Sequence, residues 1–142
     1  MNVFFDVDKT LIAQNGSLRP WVRETFAQLF DDGHTLYVWS GMGIRWAVLT
    51  RYGLRGYVTD FYEKPLDDHH RRLRTLGVNV MPDLCVDDHQ EIVNVFGGIV
   101  VRPYELPDPS DLEMHRVYTL ISSYNGRSVN AESRHNSILS PR

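Results

Sequence analysis

Short, uninterrupted apolar runs recur along this chain, and they restrict its fold more than any other feature. Val3-Phe4-Phe5, Leu36-Tyr37-Val38-Trp39, Leu84-Cys85-Val86 and Ile99-Val100-Val101 contain no polar alternation. Such runs suit strands covered on both faces, as in a parallel sheet. Gly56 to Phe61 reads as a further strand, diluted by Thr59 and Asp60. Helical patterns fill the intervals. Pro20 opens one that carries Trp21, Val22, Phe26, Leu29 and Phe30 on one side, and Gly33 suits its C-terminal cap. Ser40 to Gly43 leads into a second helix that Gly53 closes. Leu66 to Leu76 and His89 to Phe96 follow, and Ser110 suits the N-cap of a last helix, Asp111 to Ser123. Strands alternating with helices predict an α/β fold with right-handed crossovers.

The 142 residues suffice for one buried core. A formal net charge of -3 offers no general electrostatic reason to bind nucleic acid or an anionic membrane. Two local arginine groups, Arg45, Arg51 and Arg55 and Arg71, Arg72 and Arg74, read most simply as solvated helix faces. The single cysteine, Cys85, lies in an apolar run and suits a reducing compartment. Asp6 and Asp8 interrupt the apolar N-terminus, so no signal peptide is expected, and no run is long enough to span a bilayer. A cytoplasmic location follows as an expectation. From Asn125 to Arg142 the sequence turns polar and is expected to be disordered.

Residues capable of chemistry stand at the ends of the strands. Asp6 and Asp8 follow the first, Ser40 the second, Lys64 the third, and Asp87 and Asp88 the fourth. In open α/β sheets ligands bind beyond the carboxyl ends of the strands, so these residues should converge. Four carboxylates near one point repel, and a hard divalent ion such as Mg²⁺ relieves that, with a phosphate completing its ligands. Asp6 is then a candidate nucleophile, and Asp8 an acid for the leaving oxygen and a base for water. Ser40 and the Gly41 N–H could donate to phosphoryl oxygens, and Lys64 could stabilise their charge. Lys64 has added weight because, of 15 basic residues, only it and Lys9 are lysine. Each element alone has a plain reading: Asp-x-Asp as a turn, Asp-Asp as a helix cap, Ser-Gly as a turn and Lys as a solvated loop residue. Their order along successive strands is what makes them specific.

The series Asp6-Val7-Asp8-Lys9-Thr10-Leu11, Ser40-Gly41, Lys64-Pro65 and Asp87-Asp88 resembles the four motifs of the haloacid dehalogenase-like superfamily, over roughly residues 1–103. The resemblance implies a Rossmann-like three-layer α/β/α sandwich with a five-stranded parallel sheet in the order 5-4-1-2-3. It implies a metal held by Asp6, the Asp8 backbone carbonyl and the Asp87-Asp88 pair. In that pair Asp88 would ligate directly, and Asp87 would act through water or from behind the ligands. Thr10 would buttress the first loop by hydrogen bonding. Only 23 residues separate Ser40 from Lys64, so no cap domain is expected.

These readings combine into a Mg²⁺-dependent phosphomonoesterase acting through an aspartyl-phosphate, with a core over residues 1–108, a C-terminal helix over 109–124 and a tail over 125–142. The alternatives are phosphotransfer through the same site and a non-enzymatic interaction module. An uncapped site suits a macromolecular phosphorylated substrate or a lid from a neighbouring subunit. Arg45 and Trp46, opening the second helix, could border it. His89 reads as a helix-surface residue, Trp39 as core, and His69-His70 lacks zinc-like spacing. A receiver-type phosphoacceptor domain is disfavoured, because there the acidic pair comes first.

Overall fold

The computed structural model describes residues 1–124. The elements run β1 (Asn2–Asp6), α1 (Val22–Asp31), β2 (Thr35–Ser40), α2 (Trp46–Arg51), a 3₁₀ turn (Arg55–Tyr57), β3 (Val58–Glu63), α3 (His69–Thr75), β4 (Leu84–Asp87), α4 (Gln90–Phe96), β5 (Gly98–Val100) and α5 (Glu113–Ser123). All strand pairings are parallel, in the order β3-β2-β1-β4-β5. This is the order 5-4-1-2-3 read from the other edge.

Alternation along β1 divides the core. Val3 and Phe5 face one side and pack with Phe26 and Leu29 of α1, Leu49 of α2, and Met114, Val117 and Ile121 of α5. Phe4 faces the other side with Tyr37, Trp39, Tyr62, Leu73 of α3 and Ile92 of α4. The period of two thus sends neighbouring side chains into different layers, and both are apolar because both faces are covered. Val22, Phe26 and Leu29 recur at helical spacing and are buried, which lays α1 flat on the sheet. Gly98 permits β5 to approach: a Cβ there would stand 1.9 Å from the Cys85 carbonyl oxygen. Cys85 is buried, and burial raises its thiol well above its ordinary pKa, so it is inert.

Element ends depart from expectation for local reasons. The third helix starts at His69 rather than Leu66, because Asp68 adopts φ 45° and breaks the helical path. The last helix starts at Glu113 with no side-chain bond from Leu112 at its N-cap. Asp111, not Ser110, accepts the Glu113 N–H at 3.1 Å, while Ser110 instead bonds Asp108. Arg19 holds Asp111 in place: it is 1% exposed and reaches both Asp111 oxygens at 2.9 and 3.1 Å. No cap domain interrupts the described chain. Residues 12–18 form only a small hairpin closed by an Ile12–Leu18 bridge. No helix among the described residues is long and apolar enough to cross a membrane. The polar segment from Asn125 lies outside the described residues.

Candidate active site

Strand register brings the motif residues together. Asp6 ends β1 opposite Trp39, Ser40 ends β2 opposite Glu63, and Asp87 ends β4 opposite Val100. Lys64 is one residue beyond β3, and its N–H bonds the Ser40 carbonyl at 3.0 Å. After Asp6 the chain curls tightly. Thr10, Leu11 and Ile12 all donate backbone bonds to the Val7 carbonyl, and Lys9 adopts φ 65°. The curl turns Thr10 back toward the strand end. Its hydroxyl lies 3.0 Å from Asp6 Oδ2 and 3.3 Å from Asp88 Oδ1.

Lys64 is the hub of the buried part. Its Nζ lies 3.0 Å from Asp6 Oδ1 and 3.0 Å from Asp87 Oδ2, with its side chain 5% exposed. Burial alone would lower its pKa, but the two carboxylates hold it above its ordinary value. One ammonium cannot offset the desolvation of both acids. Burial raises Asp6 to about 6, against the opposing pull of Lys64, and Asp88 adds to the rise. Asp87 is also raised, first by burial and then by the Asp6 charge.

Asp6, Asp87, Asp88 and His89 each offer one donor atom, and these atoms lie within 4.8 Å of one another. Three carboxylates gathered at one point suit a hard divalent cation, so the donor set fits the metal that the first-motif pattern implies. Both Asp87 oxygens are engaged, by Lys64 and by the His89 N–H at 2.9 Å. The contacts of Asp88 run to Oδ1. His89 is a surface residue, with its side chain 68% exposed, yet its Nδ1 lies 3.3 Å from Asp87 and 3.4 Å from Asp88.

Below about pH 6 a cation entering this group must displace the proton on Asp6. Metal affinity should therefore fall as pH drops through about 6, by up to about tenfold per pH unit for one coupled proton. Calorimetric titration with Mn²⁺ at pH 7.5 and 5.0 measures this, and equal affinities at the two values would contradict the raised carboxylates.

On the open side stand Asp8 and Ser40. Arg45 donates from Nη2 to Asp8 Oδ2 at 2.6 Å and from Nη1 to Asp8 Oδ1 at 3.3 Å. The same Nη2 lies 2.9 Å from Ser40 Oγ. Arg45 is therefore part of the constellation and not a solvated helix face. Trp46 instead packs on Phe61 and beneath Arg55. Gly41 lies against Leu66, where a Cβ would meet Leu66 Cδ2 at 2.8 Å. Beside Lys64 a cleft of about 260 Å³ runs between Leu66, His69, His89 and Ile92. Arg19 supports the first loop from below, bonding the Thr10 carbonyl at 3.2 Å and the Arg102 carbonyl at 2.6 Å.

No protein-family model matches the sequence, and no curated protein matches it. Among solved structures, the chain is similar to the core domain of a "putative phosphoglycolate phosphatase" from Streptococcus pneumoniae TIGR4, determined by NMR. The match has a TM-score of 0.53 at 13% identity and covers 87% of this chain and 96% of that one. The two chains share a fold. At that identity the likeness concerns architecture, and the chemistry must be argued from the residues.

Proposed function

We propose that this chain is a capless member of the haloacid dehalogenase-like superfamily and a Mg²⁺-dependent phosphomonoesterase. The observation that carries the reading is the setting of Asp6. Its carboxylate ends the central strand, held by Lys64 and Thr10 at 3.0 Å, with the Asp87-Asp88 pair alongside. A carboxylate so fixed, and raised to about 6 by burial, is ionised at neutral pH and aimed out of the sheet.

In the first step an Asp6 oxygen bonds to phosphorus, the bond to the leaving oxygen breaks, and Asp8 gives that oxygen its proton. In the second step water attacks phosphorus and passes a proton to Asp8, and the bond to Asp6 breaks to release phosphate. Ser40, the Gly41 N–H and Lys64 hold the phosphoryl oxygens. Asp6, Asp88 and the Asp8 carbonyl, with Asp87 behind them, would hold Mg²⁺, which would supply positive charge to those oxygens. With no cap over the site, a large phosphorylated substrate could reach Asp6, and a neighbouring subunit could supply a lid.

The test is hydrolysis of an aryl phosphate by the purified chain. Release should require Mg²⁺, stop on chelation, and fall by about 10²–10⁴ in Asp8→Asn with the fold retained. Turnover that survives chelation, or full activity in Asp8→Asn, would remove this mechanism. Formation of a new phosphate ester when an alcohol is added would turn the reading toward phosphotransfer.

A further inference from the structure

We propose that Arg45 is a phosphoryl-binding residue that exchanges Asp8 for the substrate's phosphate, an inference that rests on the phosphatase reading above. Three observations carry it. The guanidinium holds both Asp8 oxygens, at 2.6 and 3.3 Å, the fork geometry by which Arg recognises any planar or tetrahedral oxyanion. It simultaneously touches Ser40 Oγ at 2.9 Å, so the anion it grips lies next to the hydroxyl assigned to the phosphate. Its Nε is buried and has no hydrogen-bond partner among the described residues, so the guanidinium is not fully satisfied by Asp8 and Ser40.

Ser40 strengthens the argument. Its oxygen accepts from Arg45 Nη2 and from the Met42 N–H at 3.0 Å. A hydroxyl has two lone pairs and one proton, so both acceptor positions are used and the proton is left to donate. Ser40 is thereby left as a donor beside the guanidinium, next to the carboxylate of Asp8 that Arg45 holds.

An ion pair with side chains 29% and 47% exposed contributes little to the fold. Its consequence is functional. While Arg45 grips both oxygens, the Asp8 carboxyl is held on the guanidinium rather than against a leaving oxygen. A phosphoryl dianion carries more charge than Asp8 and brings three oxygens, so it takes over the fork. Asp8 is then released to face the leaving oxygen. Substrate arrival and availability of the acid become one event, which an uncapped site otherwise has no lid to coordinate.

The experiment uses the full chain with Mg²⁺ and inorganic phosphate as probe, followed by calorimetry, alongside aryl phosphate kinetics. Arg45→Ala should weaken phosphate binding at least about tenfold and raise KM in proportion, with a smaller fall in kcat. Arg45→Lys should recover only part of this, because an ammonium cannot bridge two oxygens. Added guanidinium should partly restore binding to Arg45→Ala. Phosphate affinity within twofold of wild type in Arg45→Ala would overturn the proposal, as would a fall in kcat with phosphate affinity and KM unchanged. If Arg45→Ala does not fold, unaltered phosphate affinity in Arg45→Lys overturns it instead. Arg45-dependent phosphate binding without any aryl phosphate turnover would leave this inference standing and defeat the hydrolase reading.

Discussion

Asp6→Asn is expected to abolish aryl phosphate turnover, by at least about 10³-fold, while the metal-free protein melts no lower than wild type. The two halves of this expectation have different causes. Turnover is lost because an amide cannot form the acyl-phosphate bond. Stability is kept because the carboxylate is costly where it stands. Its folded pKa of about 6 lies above its ordinary 3.8, so ionised Asp6 opposes folding by about 3 kcal/mol at pH 7. The sign follows from proton binding. The folded state binds the proton more tightly, so the penalty is complete above pH 6 and shrinks as pH falls toward 3.8. Asn removes the charge and keeps the contacts. Its Oδ1 can accept from Lys64, and its amide can donate to Thr10, whose hydroxyl proton turns to Asp88. Thermal melts at pH 8 and pH 4.5 test this: the variant should gain stability at pH 8 and lose most of that gain at pH 4.5. Residual activity near wild type would exclude Asp6 as nucleophile, and a variant that melts well below wild type at pH 8 would exclude the burial argument.

The architecture could be read from the sequence because its signals are local. A buried strand needs consecutive apolar residues, and Val3 to Phe5 and Leu84 to Val86 supply them wherever they end up in space. The strand order was read by resemblance, and the parallel pairings match it. Convergence of Asp6, Ser40, Lys64 and Asp87 followed from a topological rule, that loops at one sheet edge share a site. Composition gave the hint at Lys64. In a chain that otherwise uses Arg, the two lysines proved to be opposites, with Lys9 exposed and Lys64 buried between two carboxylates.

What escaped the sequence depends on side-chain reach. Arg45, five residues past Ser40, could be placed at the border of the site from the sequence, but its hold on Asp8 shows only once the loop from Gly41 to Ile44 folds it back. His89 had a helix-surface reading that is correct in exposure, yet the turn at the start of α4 swings Nδ1 over the acidic pair. Arg19 carries no motif at all. Only the fold reveals a fully buried guanidinium tying Thr10, Arg102 and Asp111 into one unit. Helix starts were similarly opaque, because Asp111 acts at α5 only through its hold by Arg19.

Lys64→Met is expected to lower stability by about 3–5 kcal/mol at pH 8, the usual consequence of removing one partner from a buried charge pair. Lys64 faces two carboxylates at 3.0 Å, and its ammonium is what tolerates their burial at the end of the sheet. Methionine fills the slot but leaves Asp6, Asp87 and Asp88 within one cluster, without the hub cation. Asp6 and Asp87 must then take up protons or stay mutually repelled. Lys64 lowers the pKa of both Asp6 and Asp87, so its loss raises them further. The defect should therefore shrink as pH falls from 8 to 5, as the carboxylates become neutral, and should also shrink on adding a divalent cation. Lys64→Arg should repair it only in part, because a planar fork cannot reproduce a compact ammonium 3.0 Å from both carboxylates. Urea melts at pH 8 and pH 5, with and without Mg²⁺, measure each part. A loss that is the same at both pH values would mean that Lys64 matters for packing alone, and that the cluster's charges are balanced by something other than this ammonium.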